Sequence, residues 1–160
     1  MIDPSHFRRV MGHFAAGVAV VTTLRDDGHP AGLTASAVCS VSLEPTLLLA
    51  CVDRASESHR YVEGSGVFAV NVLEEGEGET LARRFGTSST TGDKFLGTAF
   101  HTERTGAPVL DAALAWLDCR VRNAYDGGDH TIFVGEVEAA ETREGTPLLY
   151  YRGGYGRFAP

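Results

Sequence analysis

Apolar and polar residues follow one another along this chain in short blocks, and most of the blocks have the spacing of β-strands. Runs rich in valine, threonine and leucine are bounded by glycine, aspartate and proline, which is typical of strands separated by turns. The predicted strands cover residues 17–24, 30–34, 46–52, 67–73, 116–125 and 131–141, with a last strand within 148–158. The apolar run 46–52 predicts a fully buried strand, and the segment DGGDH at 126–130 predicts a hairpin turn.

Three short helical segments are predicted between the strands. Asp3 is placed to cap a helix that begins at Pro4. The apolar face of this helix consists of Phe7, Val10, Met11 and Phe14, and Gly17 is expected to end it. The other helices are predicted at 56–63 and at about 80–85, the latter after an acidic segment that suits a helix N-terminus better than a metal site. Residues 86–93 are predicted to form a polar loop.

Six or more strands with only short helices predict an all-β fold, a barrel with helical decoration. A chain of 160 residues is long enough for one domain with its own core, and neither a repeat nor a linker divides it. We therefore expect a single domain over residues 1–160.

Composition and missing motifs exclude several classes of protein. The net charge of −7 argues against a nucleic-acid-binding protein. There is no transmembrane-length apolar run and no signal-peptide pattern, so the cytoplasm is the expected location. The motifs GxGxxG, GxxxxGK[ST], HExxH and GxSxG are absent, and the histidines and cysteines lack metal-ligand spacing, so no metal is expected. Cys39, Cys51 and Cys119 are predicted to be small buried side chains.

The segment GLTASAVCSVSLEP at residues 32–45 is rich in hydroxyls but carries no charge before Glu44. A flat heterocycle such as a flavin needs backbone hydrogen-bonding groups and small neighbouring side chains, and hydroxyls, amides and arginines can hold its phosphate. The residues that offer such groups are Thr34, Ala35, Ser36, Ser40, Val41, Ser42, Asp53, Arg54, Ser56, Ser58, Arg83 and Arg84. The alternative is that the hydroxyls only satisfy the backbone of turns, and composition alone favours it.

Six segments of the chain, in this order, are similar to the short-chain flavin reductase family. They are FRRVMGHFAAGVAVVTT, GLTASAVCSVSLEPTLLLACVDR, FAVNVL, LARRF, GDHTIFVGEV and LLYYRGGY. The family comprises the small reductase components of two-component flavin-dependent monooxygenases, and the resemblance covers nearly the whole chain. It implies an FMN-binding split β-barrel of Greek-key-like topology, which binds FMN or FAD at a homodimer interface and reduces it with NADH or NADPH.

The resemblance also implies roles for individual residues. Those implied to form a loop against the flavin ring and ribityl chain are Thr34, Ala35, Ser36, Ser40, Val41 and Ser42. Those implied to approach the flavin phosphate are Asp53, Arg54, Ser58, Arg84 and Phe85. Cys51, in the strand before Asp53, and Tyr155, in the C-terminal segment, complete the expected flavin-binding set.

The nicotinamide is expected beside Gly128, Asp129 and His130, because these residues match the Gly-Asp-His motif of the family. His130 would orient the nicotinamide as the one catalytic side chain, although a histidine that only caps the turn is a competing interpretation. Two departures from the family pattern matter: Thr46 follows Pro45 where a second proline is usual, and Glu57 separates Ser56 from Ser58. A carboxylate beside a phosphate is unfavourable unless Glu57 points away.

The expected function is an NAD(P)H-dependent flavin reductase that supplies reduced flavin to a separate monooxygenase, since no site for a second organic substrate is evident. Hydride transfer is the chemistry of the cofactors themselves, so no acid–base pair is required. No arginine cluster awaits a 2′-phosphate, which favours NADH. Two alternatives remain: a flavin-binding electron carrier or sensor without a nicotinamide site, and a split-barrel oxidase acting on a pyridoxine phosphate, which would need a more basic pocket.

Overall fold

The computed structural model describes residues 1–88 and 93–159, and most of its regular structure is β-strand. The helices are α1 (Pro4–Met11), α2 (Glu57–Ser65) and α3 (Glu77–Gly86). The strands are β1 (Ala16–Gly17), β2 (Ala19–Leu24), β3 (Pro30–Ala35), β4 (Val38–Leu43), β5 (Thr46–Asp53), β6 (Val67–Leu73), β7 (Phe100–Thr102), β8 (Pro108–Leu110), β9 (Ala113–Gly127), β10 (His130–Thr142), β11 (Leu148–Tyr151) and β12 (Gly154–Arg157). The predicted all-β class with helical decoration is confirmed.

The main sheet has seven antiparallel strands in the order β3-β2-β6-β9-β10-β5-β4. Its two edge strands, β3 and β4, are consecutive in the chain and are joined only by Ser36 and Ala37. A flat sheet of this width would hold its edges about 29 Å apart, whereas the three peptide steps from Ala35 to Val38 span at most about 11 Å. The sheet therefore curls until its edges approach each other.

Two apolar clusters pack on opposite faces of the curled sheet. Val20 and Val21, neighbours on β2, belong to different clusters because adjacent strand residues point to opposite faces. Val21 packs in a cluster with Val52 and Phe68, while Val20 packs in a cluster with Phe85 of α3. The Phe85 side chain is only 1% exposed. Burial this complete contributes about 1.5–3 kcal/mol to folding.

Helix α1 begins as predicted and ends earlier than predicted. The Asp3 carboxylate accepts the backbone N–H groups of Ser5 and His6, at 2.9 and 3.0 Å. The helix stops at Gly12 because Ala16 and Gly17 pair with β11 instead of continuing it. None of the eight residues of α1 is buried, so the predicted apolar face, to which Phe14 just beyond the helix also belongs, is open to solvent.

The structure corrects several strand predictions. Residues 38–43, expected in a loop, form β4 and pair with β5. The segment 46–52 is not fully buried: Leu48 and Ala50 are buried, whereas Leu49 and Cys51 on the other face of β5 border a cavity. Cys39 is exposed, not buried, because it lies on the edge strand β4. The last predicted strand, within 148–158, is a hairpin of two strands, β11 and β12.

Smaller differences concern the helices and two short strands. Helix α2 runs through Gly64 and ends at Ser65, since Gly66 takes the left-handed conformation at φ 68°. Helix α3 begins at Glu77, so the acidic segment forms its first turn. Strands β7 and β8 were not predicted, and residues 89–92 of the predicted polar loop lie outside the described residues. Among the helices of ranges 1–88 and 93–159, none combines the length and the apolar character needed to cross a membrane.

Candidate active site

A cavity of about 760 Å³, here called the apolar cavity, lies where the end of α1 meets the start of β2 and the edge strand β4. Part of its wall consists of small residues, among them Ala15, Gly17 and Ala37. Cys51 lines it from β5, and Ser36 lines it from the β3–β4 link. Small side chains leave room for a flat ligand close to the backbone, and the volume lies within the range of small-molecule sites.

A second space of about 260 Å³, the aromatic cavity, adjoins the first, since both are lined by Val18, Ser36 and Tyr150. Thr34 and Tyr155 also line it. The Thr34 hydroxyl donates a 2.7 Å hydrogen bond to the Ala82 carbonyl of α3, which fixes the rotamer of that side chain.

Tyr155 contacts a cation and another aromatic ring. The Arg83 guanidinium lies 5.1 Å from the centroid of its ring, and the centroid of the Tyr150 ring lies 5.4 Å from the same point. Burial raises the pKa of the Tyr155 hydroxyl, although Arg83 opposes the shift. The side chain therefore stays neutral at physiological pH and presents an ordered ring to the aromatic cavity.

A third space of about 440 Å³, the polar cavity, adjoins the aromatic cavity at Gly86. It is lined by the predicted residues Asp53 and Ser58, by the cations Arg25 and Lys94, and by Glu57. The carboxylate of Glu57 lies 3.5 Å from Arg60, and that of Asp53 accepts the Ala55 N–H at 2.8 Å. Glu57 therefore lines the cavity in which a phosphate was expected, and its negative charge is partly neutralised by Arg60.

Lys94 is the only lysine in the chain. Its Nζ donates to the carbonyl oxygens of Phe85 and Gly32, at 3.1 and 3.4 Å. Burial lowers the pKa of this ammonium group, and the negative charge of Glu57 opposes the shift only in part. A cation that is held by two carbonyls and lines a polar cavity is suited to bind an anion there.

The Gly128–Asp129 turn between β9 and β10, and His130 after it, line none of the three cavities but lie next to one of them. His130 pairs in register with Asp53 of β5, so the turn is beside the strand end that borders the polar cavity. Gly128 has φ 83°, which a two-residue hairpin turn requires. The His130 Nδ1 lies 2.7 Å from the Asp129 carboxylate, and this hydrogen bond holds the pKa of Asp129 below its usual range.

Several residues named from the sequence lie elsewhere. Arg84 donates to the Thr98 hydroxyl at 2.8 Å and lines a separate groove with Asp111. The Phe85 side chain is core, so only its backbone is near the cavities. Arg54 is paired with Asp126 at 2.9 Å.

The other residues of the hydroxyl segment are spread along β3 and β4. Ala35 is buried in the core. Ser40, Val41 and Ser42 follow Cys39 along β4, beyond the residues that line the apolar cavity. Of the hydroxyl-bearing residues of the segment, Thr34 and Ser36 therefore line the cavities.

Several cavity residues were not found from the sequence, among them the polar and aromatic side chains of Lys94, Arg25 and Tyr150. A single lysine in an acidic chain, directly after a polar loop, was a usable signal for Lys94. Arg25 lies between the predicted strands 17–24 and 30–34, and Tyr150 lies within the last predicted strand, so neither position indicates a ligand by itself. Over residues 1–88 and 93–159, no three His, Cys, Asp or Glu side chains form a group that could hold a metal ion.

Residues 11–159 match the family model of the flavin reductase like domain. The chain belongs to this family. The reductase subunit HsaB of a flavin-dependent monooxygenase from Rhodococcus jostii (strain RHA1) is 44% identical, over 99% of this chain and 80% of that protein. An NADH-dependent FAD reductase of Streptomyces globisporus is 41% identical, over 100% of this chain and 90% of that protein.

Solved structures agree with the family assignment. The NADH:FAD oxidoreductase SgcE6 of Streptomyces globisporus C-1027, in complex with NAD and FAD fragments, matches with a TM-score of 0.90 and 39% identity. The match covers 100% of this chain and 97% of that one. The family expected from the six sequence segments is therefore confirmed.

Proposed function

We propose that this protein is a flavin reductase, which reduces FMN or FAD with NADH in preference to NADPH and releases reduced flavin to a separate monooxygenase. Membership of the flavin reductase like family supports the activity. One relative is named as the reductase subunit of a flavin-dependent monooxygenase and another as an NADH-dependent FAD reductase, which supports the partner and the reductant. The observation that carries the proposal is the row of apolar, aromatic and polar cavities along the curled edge of the sheet.

The three cavities fit the parts of a flavin in order. A flat ring needs a wall of small side chains, which Ala37 and Gly17 supply in the apolar cavity. A hydroxylated chain needs polar partners, which Ser36 supplies at the join to the aromatic cavity. A phosphate needs a cation, which Lys94 supplies in the polar cavity. When bound, the flavin would supply the capacity to accept a hydride from reduced nicotinamide.

The protein's own contribution is to hold the two reactants in place and keep water out. Orientation alone can lower a reaction barrier by about 7–11 kcal/mol, so hydride transfer between the two cofactors does not require an acid–base pair. His130 is proposed to orient the nicotinamide, with Asp129 fixing its ring through the 2.7 Å hydrogen bond. Gly128 keeps the turn narrow enough for a ligand to approach its backbone.

We further propose that the chain is one domain, that the curled sheet is a split barrel and that two copies form a homodimer. The consecutive edge strands support the barrel. The uncovered apolar face of α1 supports the dimer, and because Met11 and Phe14 also line the apolar cavity, a second copy on that face would help to close the site. The cytoplasmic location expected from the sequence stays a prediction.

The decisive experiment mixes the purified protein anaerobically with each flavin and each reduced nicotinamide, and follows the bleaching of the visible flavin band. Rapid bleaching that saturates with both reactants is the expected result, with NADH faster than NADPH. A protein that binds flavin but does not accelerate bleaching would be a carrier, a sensor or an oxidase. Hydroxylated product formed by this protein alone would contradict the need for a separate monooxygenase.

A further inference from the structure

Arg54 makes three contacts with the β9–β10 hairpin, although it lies on another segment, just after β5. Its backbone N–H donates to the Asp129 carbonyl at 3.0 Å. Its Nε donates to the Thr131 hydroxyl at 3.3 Å, and its Nη2 donates to the Asp126 carboxylate at 2.9 Å. Of the three contacted residues, Asp126 lies on β9, Asp129 in the turn and Thr131 on β10. The last two are the sequence neighbours of His130.

The partners of Arg54 are themselves tied to the turn. The Asp126 carboxylate that receives the guanidinium also accepts the Gly128 N–H at 3.0 Å. Asp126 and Thr131 are opposite each other across the two strands of the hairpin. The Thr131 hydroxyl is further held by His59 of α2, whose Nε2 lies 2.7 Å away. One guanidinium therefore joins both strands of the hairpin, next to its turn, to the end of β5.

This arrangement differs from what a phosphate ligand requires. An arginine that binds phosphate directs its planar donors towards the anion. Here two of those donors are directed to the hairpin, and the charge is already paired with Asp126. The polar cavity is lined instead by Lys94 and Arg25.

We propose that Arg54 is a positioning residue, which holds the Gly128–His130 turn against the end of β5 through Asp126 and Thr131 and so sets how reduced nicotinamide is received. This role presupposes the proposed reductase function. It does not depend on a contribution to folding, because ion pairs as exposed as Arg54–Asp126, with side chains 46% and 78% exposed, stabilise proteins little.

The test compares the variants Arg54→Gln and Asp126→Asn with the wild-type chain. Each is expected to raise the KM for NADH about three- to tenfold, as loss of a partly exposed, charge-assisted hydrogen bond would. The dissociation constant of the flavin, measured by fluorescence titration, and the melting temperature should stay near the wild-type values. The double variant should be no worse than the worse single variant, because both remove the same interaction.

Arg54→Lys provides a rescue test. Lysine keeps the positive charge for Asp126 but lacks the fork that also reaches Thr131, so its KM should fall between those of the wild type and Arg54→Gln. Amide hydrogen exchange at residues 128–131 gives a readout that does not depend on activity. It should speed up in Arg54→Gln and Asp126→Asn.

The matched control is Glu136→Gln, which removes a similar ion pair on the same hairpin. Glu136 lies 3.3 Å from Arg122, both are about half exposed, and neither is near the turn. This variant should keep the wild-type KM, and an equal rise would show a general effect of hairpin ion pairs and overturn the proposal.

Two further results are decisive, one against the positioning role and one against the proposed function. If Asp126→Asn keeps the wild-type KM while Arg54→Gln weakens flavin binding about tenfold or more, Arg54 is a flavin ligand. A wild-type chain that fails to oxidise NADH with either flavin would instead remove the proposed function itself. That failure is seen before any variant is measured, so the two are distinguishable.

Discussion

Hydroxyl side chains between residues 34 and 42 do different things, although they look alike in the sequence. The Thr34 hydroxyl donates to the Ala82 carbonyl and ties β3 to α3. The Ser42 hydroxyl accepts the Glu44 N–H and so shapes the β4–β5 turn. Ser36 is exposed and lines both the apolar and the aromatic cavity. Backbone satisfaction, the alternative that composition favoured, thus describes Thr34 and Ser42, while Ser36 is available to a ligand.

Lys94 gives a prediction that can be measured on one signal, because the chain has no other lysine. Burial lowers the pKa of Lys94, so in the free protein its ammonium group should lose its proton below the pH that is usual for lysine. A phosphate in the polar cavity would favour the protonated form and raise this pKa. Titration by NMR of protein labelled at lysine Cε, with and without FMN, measures both shifts.

Linkage fixes the accompanying dependence of affinity on pH: FMN binding should weaken as the pH rises through the pKa of Lys94. Riboflavin, which has no phosphate, should not share this dependence. Lys94→Gln should weaken FMN about tenfold, as expected for one charge-assisted contact, and leave riboflavin unchanged. An equal loss for both flavins would place the phosphate elsewhere.

His130→Ala should slow flavin reduction by about ten- to a hundredfold, because positioning residues contribute on this scale, and should change flavin affinity much less. His101→Ala is the matched control. His101 makes the same kind of contact, Nδ1 to a carboxylate oxygen at 2.7 Å, with Asp111, and its side chain is 44% exposed against 41% for His130. Anaerobic stopped-flow rates compare the two variants. An unchanged rate in His130→Ala would leave the residue as a turn histidine.

At the scale of elements, the sequence predicted strands where their chemistry was regular. Strand β6 was predicted with its observed bounds, because Val67–Leu73 is an apolar run interrupted only by Asn71, between a glycine and two glutamates. Strand β4 was missed for a physical reason: it is a mostly exposed edge strand with two serines, and a register shift between Ser40 and Ser42 breaks the alternation. Strands β7 and β8 have three residues each, too few for a period to show.

Strand β10 crosses Phe68 so closely that only glycine fits at one position. A Cβ on Gly135 would lie 2.5 Å from Phe68 Cζ and 2.9 Å from Cys119 Cβ. Gly135→Ala should therefore lower the free energy of unfolding by about 1–3 kcal/mol, as overpacking of a core does. Gly156→Ala, in strand β12 with no atom within 4 Å of the added Cβ, should change it by less than about 0.5 kcal/mol. Urea denaturation of both variants measures the difference.

At the scale of the whole molecule, the site exists because distant elements meet. The β3–β4 link, the end of helix α3 and the β11–β12 hairpin contribute to neighbouring cavities, and the turn after β9 lies beside the end of β5 that borders one of them. Local periodicity carries no information on which strand ends become neighbours, so the sequence could supply candidate residues such as Ser36, Ser58 and Tyr155 but not the separation of Arg84 from them. The family resemblance supplied the expected barrel fold and the two cofactors. Lys94 lies outside the six segments that carry the resemblance.

The apolar face of α1 gives the prediction about assembly. Phe7, Val10 and Met11 are each at least half exposed, and Phe14 is 76% exposed, which is unusual for four large apolar side chains on one surface. If a second copy covers this face, the protein should sediment at twice the chain mass of 17.1 kDa. Phe7→Glu should then shift it to the monomer, because burying an unpaired carboxylate is costly.

His6→Glu is the control for this prediction. It adds a carboxylate at the neighbouring position of α1, where the side chain contacts Arg9 instead of the apolar face, so it should leave the dimer intact.

The Phe7→Glu monomer should also bind flavin more weakly, because Met11 and Phe14 of the same surface line the apolar cavity and lose their cover. A wild-type monomer, or a Phe7→Glu dimer with full flavin affinity, would mean that α1 is not the surface on which copies meet. Analytical ultracentrifugation with and without flavin distinguishes these outcomes, and weaker dimerisation without flavin would show that the ligand itself forms part of the contact.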